Sequence, residues 1–417
     1  MAPRRISTEV CVVGGGPAGL MLGLLLARAG IPVAVLEKHA DFLRDFRGDT
    51  VHPSTIRLLD RLGLAEKFLR LPHRKVGTLQ VTDSERTYRV ADFGGLPGPY
   101  PYVAFLPQWD FLDFLADEAS AYPHFTLLRS TEVTELTSEN GTLTGVRAVG
   151  PDGPVEVAAA LTVACDGRQS DVRRLLGLTP REFGAPMDVL WFRLPRRDTD
   201  GDGLLMRIGS GKLMLTIDRG DYWQVAYVIP KGGYDQVVAR GLAEFQKSVA
   251  GLFEALADRV GQLTDWDQVR VLTVQINRLD RWHAPGVLLI GDAAHAMSPM
   301  GGVGINLAIQ DAVATARLLA GPLRSGRLTD KDLSAVRRRR WLPTVGTQFA
   351  QRVGQRGLVA GVLGSNGPTK APLPMRIADR VRPLRTLAAR LIGLGIRPEY
   401  EVPPPAPVVE RAGRAVR

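Results

Sequence analysis

The sequence predicts an α/β protein: a Rossmann-like dinucleotide-binding domain with a β-meander, interleaved with an antiparallel-sheet domain and followed by a C-terminal helical region. Three observations predict it. A short apolar strand, a glycine-rich turn, an apolar helix and a second strand follow one another over residues 9–36. Two β-rich runs, 125–164 and 189–229, are punctuated by turn residues. A buried-type strand at 287–290 leads into a glycine-containing loop and a long helix.

The elements follow in order. Strand 9–13 precedes a helix over 17–29 that Gly30 closes, and strand 32–36 comes next. A helix over 54–69 carries Ile56, Leu58, Leu59, Leu62 and Leu64, and one over 108–120 turns Phe111, Leu112, Phe114 and Leu115 inward. In the meander, Asn140-Gly141 and residues 150–154 are hairpin turns. A helix at 242–256, a strand at 271–276 and a helix from Asn306 to Leu319 complete the pattern. At 417 residues the chain exceeds one core, so two domains are expected. We assign 1–74, 101–180 and 280–330 to the cofactor domain, and 75–100 and 181–279 to a substrate-binding sheet domain. Residues 331–400 form the helical region, and 401–417 read as a disordered tail.

Composition narrows the class. A formal net charge of +10 suits anionic cofactors or substrates. The basic residues are scattered apart from the run 337–340, which reads as a solvated helix face, and nucleic-acid binding is not expected. Cys11 and Cys165 are too few for a disulfide framework and lack metal-ligand spacing, so a reducing cytoplasm and no metal are expected. Residues 10–27 are uncharged behind Arg4 and Arg5, but Gly14-Gly15-Gly16-Pro17 interrupts them as a turn. Neither a signal peptide nor a membrane span is expected there, nor a span elsewhere.

The glycine turn carries the first chemistry. In G-x-G-x-x-G, Gly14 permits the tight turn, Gly16 admits the pyrophosphate and Gly19 lets helix and strand pack closely. Pro17 and Ala18 start the helix whose positive end would face the phosphates. Glu37, with Lys38 beside it, is placed to accept hydrogen bonds from ribose hydroxyls, which fits FAD or NAD and not a primary NADP site. Two later motifs decide between these. Cys165-Asp166-Gly167, with Ser170 and Arg173, follows the meander's last strand. In IGDAAHAMSPMGGVGINLAIQDA, a strand delivers Asp292 to a polyol chain, and Pro299, Gly301, Gly302 and Gly304 let a flat ring lie on backbone. The helix from Ile305 and Asn306 would aim its positive end at that ring, stabilising a reduced flavin's negative charge.

Together, these three motifs resemble the para-hydroxybenzoate hydroxylase-like (class A) FAD-dependent monooxygenases, over roughly residues 8–319. The resemblance implies that Gly14, Gly16, Gly19 and Glu37 hold the ADP moiety. It implies that Asp292 binds the ribityl chain and that residues 299–306 lie against the isoalloxazine. It further implies Arg47 near the pyrophosphate and the flavin's mobile edge, Gln108 on the diphosphate and the Val133 backbone at adenine. Asp166 would serve both FAD and NAD(P)H. The segment after Arg47, GDTVHPST, is more polar than the family's common form, making His52 a candidate polar group near the flavin, or a capping loop histidine. Arg47, His52 and Pro299 are the weak catalytic candidates. His295 reads as structural. Gly209-Ser-Gly-Lys212 is not a P-loop, because Met206 and Leu213 stand where Gly and Ser/Thr are needed.

The resemblance implies that NAD(P)H binds transiently and reduces FAD, and that O2 then gives a C4a-hydroperoxyflavin. This hydroxylates an aromatic or polyketide-like small molecule. The halogenase Trp-x-Trp-x-Ile-Pro motif is not found, and the extra domain of phenol-hydroxylase-type members is not expected. Trp191, Met214, Trp223 and Tyr227 are candidates to line the substrate, and each also reads as core. Two alternatives stay open: a flavin-dependent reductase or dehydrogenase on the same scaffold, and a non-catalytic FAD-binding protein. A monomer or homodimer is expected.

Overall fold

Strands Val287–Leu289, Gly153–Ala164, Arg4–Val13, Val33–Leu36 and Phe125–Leu128 lie side by side in that order, all parallel, in a computed structural model describing residues 3–43, 50–200, 203–363 and 369–406. Their residues are near-continuously apolar because helices cover both faces. Val10, Cys11 and Val12 have no exposed surface, and Val33–Leu36 is equally shut in. Helix Pro17–Arg28 packs against helices Gln108–Ser120 and Val303–Arg324.

Strand Gly153–Ala164 joins the parallel and antiparallel parts of one eight-stranded sheet. Its first half pairs antiparallel with Thr142–Gly150 and alternates buried with exposed residues, while its last residues are all buried between parallel neighbours. Thr142–Gly150 pairs in turn with Glu132–Glu139 through the Asn140-Gly141 turn, where both residues have positive φ. Strand Phe125–Leu128 is not part of this meander as expected. It follows the crossover helix Gln108–Ser120 and so pairs parallel with Val33–Leu36.

A second, seven-stranded sheet runs Arg270–Leu272, Met187–Pro195, Tyr222–Pro230, Lys212–Asp218, Leu204–Gly209, Thr78–Thr82 and Thr87–Asp92. A parallel contact, Met206 beside Val81, joins the early hairpin to the later strands. Gly209 and Lys212 close a hairpin over Ser210 and Gly211, both with positive φ. Helix Leu242–Leu252 covers one face, and helices Leu373–Arg380 and Arg382–Gly393 pack on strand Thr87–Asp92.

Several local expectations are corrected. The helix expected over 54–69 is two, Pro53–Arg61 and Ala65–Leu69, because Gly63 takes φ +74° between them. The strand expected at 271–276 is confined to Arg270–Leu272. The arginine run does not form a solvated face: Arg340 is 1% exposed, Arg339 pairs with Glu399, and Arg337 lies over Trp341. Met300–Arg324 is long and apolar enough to cross a membrane, contrary to expectation, but 78% of its apolar window is buried inside the protein. The start of the tail is ordered. Ala406 donates to the Arg28 carbonyl at 2.9 Å, and Pro403 is buried. Arg47 and residues 407–417 lie outside the described residues.

Candidate functional site

The glycine turn divides its work among three positions. Gly14 has φ +104°, and a Cβ there would stand 2.6 Å from the Cys165 carbonyl oxygen. A Cβ on Gly19 would stand 1.9 Å from the Gly14 carbonyl oxygen, so the helix cannot pack there with any side chain. A Cβ on Gly16 would meet nothing within 4 Å. The open space lies at the helix N-terminus, whose first N–H groups have no intrahelical acceptor and no side-chain cap. Glu37 is buried at the neighbouring strand end, its carboxylate accepting from the Gly15 N–H at 2.9 Å and the His39 N–H at 3.0 Å. The turn and the acid are thereby one unit.

Two other motifs converge beside it. Cys165 continues the parallel strand order, donating to the Val13 carbonyl, so Asp166 emerges next to the turn. One Asp166 oxygen accepts from the Val172 N–H at 3.0 Å; the other is buried without a partner among the described residues. Burial pushes its pKa up, against hydrogen bonds from Ser170 and Val172. Asp292 pairs with Arg168 at 3.2 Å and keeps about a third of its side chain exposed. Arg173 ties the motifs together, donating to the Ala293 and Arg168 carbonyls.

Helix Val303–Arg324 starts beyond a loop in which Gly301 and Gly302 take φ +78° and +64°. Pro299 precedes them and is half-buried. The Gly302 carbonyl accepts from Thr50 Oγ1 at 3.0 Å, and His52 Nε2 lies 3.1 Å from it. Because the peptide is trans, the following Val303 N–H points the opposite way. Asn306, nearly fully buried, accepts at Oδ1 from Ser54 at 2.6 Å and Thr55 at 2.9 Å. His52 Nδ1 also meets the Ile392 carbonyl at 2.8 Å. A neutral imidazole can donate to one of its two carbonyls at a time. Burial pushes the His52 pKa down to about 4, opposed by both carbonyls. His52 is 1% exposed, and its ring contacts are the Gly302 and Ile392 carbonyls.

Beneath the Asp292 loop lies a buried triad of Asp311, His295 and Arg340. Asp311 accepts from the Gly291 N–H at 3.1 Å, from His295 Nε2 at 2.6 Å and from Arg340 Nε at 2.8 Å. Burial alone would raise the Asp311 pKa; His295 and Arg340 outweigh it and hold it below the ordinary value. His295 also packs on Trp282, with ring centroids 4.9 Å apart.

Other expected contacts are more dispersed. Gln108 opens its helix after Pro107, Val133 is buried in the meander's outer strand, and Lys38 is exposed beside Glu37. The substrate candidates divide by strand alternation. Met214, Trp223 and Tyr227 face helix Leu242–Leu252, with Tyr227 Oη bonded to Ser248 at 2.6 Å, and are core. Trp191 lies on the opposite face, in one row with Ala226, Leu215 and Met206. Trp191, Leu215 and Met206 border the same apolar cluster as Met300 of the glycine loop. Sequence reading missed Met206, Leu215, Thr50, Ser54, Thr55, Asp311 and Arg340. The buried charge of Asp311 within the apolar run NLAIQDAVATA was its available signal.

The FAD binding domain family matches residues 7–343. The 6-methylpretetramide 4-monooxygenase of Streptomyces rimosus is 37% identical over 335 residues, 80% of each chain. The para-nitrophenol 4-monooxygenase of a Pseudomonas species is 27% identical, over 77% of this chain and 79% of its own. Among solved structures, the OxyS anhydrotetracycline hydroxylase of Streptomyces rimosus superimposes with a TM-score of 0.73 at 26% identity. That match covers 94% of this chain and 77% of the other.

Proposed function

This chain belongs to the FAD binding domain family of flavoprotein monooxygenases, and from that premise we propose that it hydroxylates a polycyclic aromatic polyketide. FAD as cofactor, NAD(P)H as reductant and O2 with a small molecule as reactants follow from the family. The residues fit the cofactor: space at Gly16, an unpartnered buried Asp166 oxygen and a half-open Asp292 line one side of the parallel sheet. Bound FAD accepts hydride and activates oxygen for hydroxyl transfer.

The chain's own residues orient and enclose. In this reading the open turn at Gly16 takes the pyrophosphate, Glu37 the adenosine ribose and Asp292 the ribityl chain. Gln108 and the Val133 backbone serve the diphosphate and adenine. Thr50 and His52 draw the Gly302 carbonyl to one side, leaving the Val303 N–H and the helix's positive end for an anionic ring. Arg173 and Asp311 hold the Asp292 loop in place.

The observation that carries the substrate class is the apolar row Trp191, Leu215 and Met206 bordering Met300 of the glycine loop. Such a wall suits a flat apolar molecule and excludes water from the reacting centre. The relative acting on 6-methylpretetramide supports the same class. The test is turnover of FAD-loaded protein with NADPH, isotopically labelled O2 and a panel of polycyclic phenols. One labelled oxygen atom in a product is expected. NADPH consumption with hydrogen peroxide as the sole oxygen product across the panel would sink the proposal, and product formation without O2 would favour a reductase.

A further inference from the structure

Four arginines from three distant segments meet around two aromatic rings behind the Asp292 loop. Arg278 stands with its guanidinium carbon 4.8 Å from the Phe183 ring centre and 4.5 Å from that of Trp341. Arg181 and Arg352 also lie over Phe183, at 5.5 and 5.1 Å, and Arg337 over Trp341 at 4.3 Å. Strand pairing of Arg181 with Arg278 and helix Asp330–Val362 bring them together.

Asp280 is the one carboxylate whose charge acts on Arg278, against three arginines of like sign, and it makes no close pair with it. None of the four forms an ion pair with a described carboxylate, and Arg278, 9% exposed, donates to the neutral Gln348 amide at 2.6 Å. The Nε groups of Arg278, Arg337 and Arg352 are buried without hydrogen-bond acceptors among the described residues. Like charges brought together out of water repel, at a cost that a bound anion would remove. The flanking rings hold the guanidinium planes in place, which lowers the entropy lost on binding.

We propose that Arg181, Arg278, Arg337 and Arg352, interleaved with Phe183 and Trp341, form a phosphate site that takes the 2′-phosphate of NADPH. Guanidiniums match phosphate oxygens in pairs, and a phosphate monoester carries close to two charges at neutral pH. The glycine turn cannot serve this purpose, because the Glu37 carboxylate occupies the corresponding position there. The cluster lies one strand from the flavin loop: Leu279 donates to the Ala294 carbonyl at 2.8 Å, and Asn277 Oδ1 accepts from the Ala296 N–H at 3.2 Å. A dinucleotide anchored here has the Asp292 loop beside it.

The proposal rests on NAD(P)H as reductant, and its test is made without turnover. NADP+ and NAD+ are titrated calorimetrically into FAD-loaded wild type, Arg181→Ala/Arg352→Ala and Arg181→Lys/Arg352→Lys. Wild type is expected to prefer NADP+ by about 10-fold or more, as hydrogen bonds to a charged group provide. The alanine pair should lose that preference while keeping bound FAD and Tm, and the lysine pair should recover part of it. No preference in wild type, or a preference that survives in the alanine pair, overturns the site. Loss of hydroxylation with nucleotide preference intact would count against the proposed function alone.

Discussion

The two ends of the proposed FAD site are built differently. At the adenosine end, Gly14, Gly16, Gly19 and Glu37 come from one short stretch and interact mainly through backbone. At the ring end, the Gly302 carbonyl and Asn306 are held by Thr50, His52, Ser54 and Thr55, and His52 and Ser54 also reach Ile392 and Gly393. A local backbone motif needs little help from the rest of the fold. A loop that must present an N–H to a ring needs distant side chains to fix its peptide. The first end should therefore fail by loss of space, and the second by loss of remote support.

The largest expected effect is at the ring end. Asp311→Asn leaves the buried Arg340 with only Glu399, 3.9 Å away, as counter-charge and should cost about 3 kcal/mol. Urea unfolding of the apoprotein would measure it; a loss below about 1 kcal/mol would mean the triad is not what supports the Asp292 loop. Next comes the pH response of His52. Its folded pKa, about 4, lies below the unfolded value of 6.5, so the unfolded chain binds the extra proton. The histidine's stabilising contribution is full above pH 6.5 and fades as pH falls towards 4, by about 3 kcal/mol. His52→Gln should flatten that part of the wild-type stability profile, and identical profiles would refute the assignment.

At the adenosine end the contrast is within one motif. Gly19→Ala should destabilise by about 2–3 kcal/mol through overlap with the Gly14 carbonyl. Gly16→Ala should leave Tm nearly unchanged and weaken FAD binding, because its Cβ enters only open space. Equal stability losses in both would erase the distinction. Smallest in folding terms is Asp292→Ala, which should keep the fold but yield largely colourless protein. Its cost falls on FAD affinity, about 1.5–3 kcal/mol, read by flavin absorbance per chain. Retained tight flavin would remove Asp292 from the site.

Legibility in the sequence tracks the range of the interaction that makes each feature. The parallel core was readable because buried strands and a glycine turn follow from neighbouring residues. Strand Phe125–Leu128 was misplaced because an apolar run does not state its partner, and the crossover helix before it decided a parallel neighbour. The substrate candidates were half misread for a related reason. Alternation along a strand separates two faces but does not say which one a helix covers, and helix Leu242–Leu252 took the side of Met214, Trp223 and Tyr227.

The amino-acid order alone determined the dinucleotide turn, its acid and the glycine loop that carries Asp292, since each is a backbone conformation set within a few residues. Tertiary structure decided everything made by side chains far apart in the chain. It put Arg340 against Asp311, His52 against Gly302, and four arginines around Phe183 and Trp341. Charge in a sequence is neutral as to burial, and packing of the distant segments settles whether an arginine is a solvated face, a buried partner or an anion site.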